Sequence, residues 1–124
     1  MKSNLFFIFI ISFSLTIYSC KPTGPRQEVE RLSKKIVEHT KILNKAIEDK
    51  KITEQEAVEI KTAIIDLQKA FIQFDKKYKN DPDAQEIIQI YFKDKEAELE
   101  KIYENYFTTL MEVYNCEGSE KVIF

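Results

Sequence analysis

His39 is the only histidine of the chain, so any hydroxyl or thiol that needs an imidazole base must meet it. Beyond residue 20 the nucleophile types are Ser33, Ser119 and Cys116. Nucleophilic catalysis would bring one of them within hydrogen-bond reach of His39. The pattern around His39 instead puts it on the solvated flank of a helix. Zinc is normally held by several His and Cys ligands, and one of each does not make a site. No CxxC, HExxH, GxGxxG or P-loop string occurs. The 21 acidic residues always supply some pair of carboxylates, but on a highly charged helical chain these are a solvated face. This inventory predicts a protein that is not an enzyme and uses no cofactor or metal ion.

The elements that would position such residues are helical. Gly is 2 and Pro 3, too few for the turns of a sandwich or barrel of this length. Val29, Leu32, Ile36, Leu43 and Ile47, with Thr40 in the same stripe, step by three and four residues and predict a helix over 25–49. Arg26, Glu30, Lys34 and Glu38 alternate in sign at four-residue steps beside that stripe. Thr53 and Glu56 form a capping box. After it Ala57, Ile60, Ile64, Leu67, Phe71, Phe74 and Tyr78 step 3-4-3-4-3-4, an a/d seam. Ile65 and Ile72 are expected to widen that seam on one side. Asn80-Asp81-Pro82 breaks the pattern, with Asp81 as a cap and Pro82 at the first helical position. A third helix is expected over 82–115, weak at Lys93-Asp94-Lys95-Glu96, where a bend would fall. Short loops make neighbours antiparallel. The expected fold is all-α, an antiparallel three-helix bundle with a long third helix. Phe71, Phe74, Tyr78 and Tyr91 are expected in its core rather than as a stacking platform for nucleic acid.

The chain begins differently. Met1 to Asn4 is polar with one positive charge, and Leu5 to Leu15 is almost wholly apolar. A charged start and an h-region of about 11 residues are a secretory signal, too short for a membrane span, which needs about 20 apolar residues. It ends in Ile17-Tyr18-Ser19-Cys20. This string resembles the lipobox of bacterial lipoproteins, with an aliphatic residue three before the Cys and a small one just before it. Tyr18 departs from the pattern, since that position usually holds a smaller residue. The resemblance implies lipid (palmitate-type acyl chains) on Cys20 and removal of residues 1–19. It also implies a protein tethered to a membrane of the cell envelope. Lys21, where an Asp would retain such a protein at the inner membrane, implies the outer membrane if the organism has one. Residues 1–19 are then the signal peptide, 20–25 the lipidated Cys and tether, 26–116 the helical bundle and 117–124 a C-terminal tail. Cys116 is left as the one remaining thiol, either free or paired with another chain.

The net charge is −2 for the whole chain, and removing residues 1–19 takes away Lys2 and no acid. Such a balance does not announce a nucleic-acid binder. Two functions remain. The first is a lipid-anchored helical module for protein–protein contact or self-association, of the adhesin, assembly-factor or immunity/inhibitor type. The second is an envelope small-ligand carrier or carboxylate-dependent enzyme. The expected working surface is the far end of the third helix. Residues past 109 have no counterpart on the second helix, which starts at Thr53. Phe107, Leu110, Met111, Val113 and Tyr114 would form an apolar tip pointing away from the membrane. The alternative is that Val122, Ile123 and Phe124 fold back and cover it.

Overall fold

Pro25 opens the first helix, where its missing N–H would have no partner in any case. In the computed structural model, which describes residues 24–122, this helix is α1, Pro25–Ile47. The others are α2, Glu54–Tyr78, α3, Pro82–Asp94, and α4, Glu96–Tyr114, with a 3-10 turn over Ser119–Val122. The described residues are all-α with no strand. The expected signal peptide, Cys20 and most of the expected tether lie outside them, as do Ile123 and Phe124.

The caps form as the residue types require. The Thr53 hydroxyl accepts from the Glu56 N–H at 3.1 Å, and the Glu56 carboxylate accepts from the Thr53 N–H at 3.0 Å. Asp81 accepts from the Ala84 N–H at 3.0 Å. The Gln85 side-chain amide reaches back to the Tyr78 carbonyl at 2.8 Å, satisfying one of the orphan acceptors at the end of α2.

α1 is the helix against which α2, α3 and α4 all pack. Lys77 pairs with Glu28, and Lys35 with Asp66 at 3.0 Å. Residue numbers rise on one helix as they fall on the other, so α1 and α2 run in opposite directions. The core has two parts. Ile36, Leu43, Ile60, Leu67 and Tyr106 belong to the larger one, with Ile52, Val113 and Val122 closing one end. Val29, Tyr78, Ala84, Ile88, Tyr91 and Leu99 form the smaller one at the other end, with Phe74 packed against it. Phe74 and Tyr78 meet edge to face at 5.2 Å. Thr40 is buried in the α1 stripe because its hydroxyl donates to the Ile36 carbonyl at 2.8 Å.

Four expectations are corrected. The third helix is not continuous: Lys95, at φ −110° and ψ 17°, separates α3 from α4. The Lys93–Glu96 stretch carries no apolar side chain to hold it on the seam, and the bend lets Tyr91 and Leu99 enter the same part of the core. Ile65 and Ile72 do not widen the α2 seam; both are exposed, since α2 faces α1 on one side only. Phe71, counted above as core, is also exposed at the rim. The Arg26–Glu30–Lys34–Glu38 ladder forms no ion pair among the described residues. Such pairs gain little in water, and Arg26 instead lies over the Tyr91 ring at 5.6 Å.

Candidate functional site

Where α4 ends, the chain turns back on the loop between α1 and α2. Lys50 makes that loop bend with φ 59°, and its N–H donates to the Ile47 carbonyl at 3.0 Å. The Ile52 N–H donates to the Glu117 carbonyl at 2.7 Å, and the Glu117 N–H to the Lys50 carbonyl at 3.1 Å. Gly118 follows at φ 87°, and a Cβ there would sit 2.4 Å from the Ile52 carbonyl oxygen. Only glycine permits both the left-handed backbone and this approach. The 3-10 turn then brings Val122 into the core beside Ile52 and Val113.

This return divides the expected tip. Val113 is fully buried, at 0% exposure, and is not part of an open surface. Two things cover it that helix pairing alone does not provide, the 48–53 loop and the returning tail. Leu110 is half-buried against the same core. Phe107, Met111 and Tyr114 remain exposed, at 59%, 65% and 44%. They follow one another at four and three residues, so they share one face of α4. Phe107 stands edge to face on the buried Tyr106 at 5.6 Å, which fixes its ring against the body of the protein. Alternation of exposed and buried apolar positions around the helix is the signal that separates Val113 from its neighbours.

His39 is not on a solvated flank. It is buried between α1 and α2, with Nε2 3.4 Å from an Asp66 carboxylate oxygen. Its Nδ1 is buried without a hydrogen-bond partner. Burial lowers the imidazole pKa, against the opposing pull of Asp66. The Asp66 carboxyl is held below its ordinary value by its hydrogen bond from Lys35. The sequence carries no cue for this, since it depends on Asp66 arriving from another helix.

The structure does not bring the nucleophile types to His39. Ser33 donates to the Val29 carbonyl at 2.9 Å and Ser119 to the Tyr114 carbonyl at 3.1 Å. The Cys116 thiol is free, half-buried, and 3.3 Å from the Glu112 carbonyl; burial raises its pKa. Among the described residues no group of His, Cys, Asp and Glu side chains could hold a metal ion, and no helix is long and apolar enough to cross a membrane. Cys20, where the lipobox-like string led to the expectation of a lipid, lies outside the described residues.

No family model, no curated protein and no solved structure matches this chain.

Proposed function

We propose that this chain is a lipid-anchored helical interaction module of the bacterial cell envelope, held to the membrane through Cys20 and making its protein contact through α4. The observation that carries the reading is the exposed apolar face of Phe107, Met111 and Tyr114 beside a core that is otherwise closed at that end. Large apolar groups gathered on one surface mark contact sites. The lipobox-like string supplies the anchor, and two or three acyl chains give stable attachment where one does not.

The same reading takes α3 and α4 together as the bent third arm of an antiparallel three-helix bundle. The shared core supports it: Val29 and Ile88 fall in one part, and Ala57 and Tyr106 in the other. In that arrangement α4 runs parallel to α1 and carries its contact face away from the tether.

The experiment has two arms. Labelling with an alkyne fatty acid should mark the intact chain, and Cys20→Ala should abolish the label and release the protein from membranes. Met111→Asp with Tyr114→Asp should leave helicity and melting temperature unchanged and abolish protein contact. An unlabelled wild-type chain refutes the anchor, and an unfolded double variant refutes the assignment of the α4 face as free surface.

A further inference from the structure

His39 sits in the α1–α2 seam at 8% exposure. One carboxylate oxygen of Asp66 serves two nitrogens, Nζ of Lys35 at 3.0 Å and Nε2 of His39 at 3.4 Å. A neutral ring with its proton on Nε2 turns that N–H to the carboxylate, and Nδ1, buried without a partner, then carries only a lone pair. Protonation makes Nδ1 a donor as well, and a buried donor with no acceptor keeps its full desolvation cost. It also sets a second cation on an oxygen that Lys35 already holds. Asp66 is half-exposed, so water screens the attraction it offers in return. The charged groups acting on the imidazole are Asp66 from α2 and Lys35 and Glu38 from α1, while Lys69 acts on Asp66 in turn. Burial outweighs them and holds the imidazole pKa below 6.5.

α2 and α4 take opposite flanks of α1. Leu32 and Lys35 face Ala70 and Phe74 of α2 across an open groove of about 320 Å³. Val37 and Lys41 line a separate groove with Lys101 and Ile102 of α4. His39 lies four residues after Lys35 and shares its flank, where the seam is incompletely filled. We propose that His39, Asp66 and Lys35 form an acid-released latch between α1 and α2: proton uptake by His39 drives the ring out to water and parts the middle of α2 from α1, while α4 keeps its place on the other flank. The opening bares Ala63 and Leu67, both buried in the closed form, so an apolar surface hidden at neutral pH is shown in acid. A stretch of α2 freed from α1 is a lone short helix, marginal in water, and its amides lose protection. The ring released to water binds its proton at the ordinary 6.5 and the seated ring only at lower pH. Acid therefore favours the open form, by at most about tenfold per pH unit for one proton. The latch depends neither on the lipid nor on the α4 face.

Amide exchange of the full chain at pH 8 and pH 5, corrected for intrinsic rates, tests it. Opening at residues 61–70 of α2 should rise about fivefold or more in acid, and at residues 106–113 of α4 by less than about twofold. His39→Gln, neutral at both pH values, should remove the rise. Lys35→Met leaves the Asp66 oxygen to the imidazolium, so the seated ring holds its proton better and the rise should shrink to about twofold. A merely structural ion pair would instead weaken α2 equally at both pH values. Since His39 is the only histidine, its imidazole resonance in the wild-type chain reports directly and should titrate below 6.5. No rise in α2, an equal rise in α2 and α4, a rise that survives His39→Gln or is untouched by Lys35→Met, or a ring titrating at or above 6.5 overturns the proposal. If His39→Gln does not fold, Lys35→Met and the titration decide the matter by themselves.

Discussion

Replacing Gly118 by alanine should cost about 2–4 kcal/mol. Two effects combine. A side chain at φ 87° pays about 1–2 kcal/mol for left-handed backbone. Its Cβ would also stand 2.4 Å from the Ile52 carbonyl oxygen, and that atom cannot swing aside, because Ile52 itself donates to Glu117. The chain relieves the overlap by lifting the tail, which exposes Val122, a side chain worth about 1.5–3 kcal/mol when fully buried. Partial relief keeps the total below the sum of the upper limits. In a domain of this size each kcal/mol lowers the melting temperature by about 4–8 °C. Urea denaturation measures the loss, and amide exchange locates it: the Ile52 N–H should exchange about tenfold faster or more once its acceptor lifts away. Gly24→Ala is the control, since the Cβ there meets only the end of the Gln27 side chain at 3.2 Å on extended backbone. A loss under about 0.5 kcal/mol for Gly118→Ala, with Ile52 exchange unchanged, would refute the closure of the core by the tail.

Leu67→Ala should cost about 2–5 kcal/mol by opening a cavity, while Ile65→Ala, two residues away on the exposed face, should change stability by less than about 0.5 kcal/mol; equal losses would mean that α2 is rotated. Thr53→Ala should cost about 1 kcal/mol by removing the cap on Glu56, read as a shift in urea midpoint without a change in slope. His39 has its pKa lowered in the folded protein from the ordinary 6.5. Its contribution to stability is present above that value and declines as the pH falls below it, because the unfolded chain takes up the proton first. The urea midpoint should therefore drop between pH 8 and pH 5, and His39→Gln should flatten that part of the profile; an unchanged slope in the variant would assign the dependence to other groups.

The helices, their starts and the α2 seam were legible in the sequence because the interactions that set them reach only three or four residues. Thr53 finds Glu56, Asp81 finds Ala84, and Ala57 to Leu67 fall on one side of a helix whatever lies opposite. The pairing of α1 with α2 also followed, since a short loop leaves few alternatives. The break at Lys95 was visible as a weakness, but its position was decided by Tyr91 and Leu99 both reaching one part of the core. Val113 and Met111 are both apolar and two residues apart; one is covered by a tail that returns through Gly118 and the other is not. His39 is buried because Asp66 stands across from it on another helix. In each of these cases the deciding partner is far along the chain, and its approach is set by the packing of whole elements. Periodicity along the chain shows which side chains share a face, and only the packed structure shows which of those faces is covered.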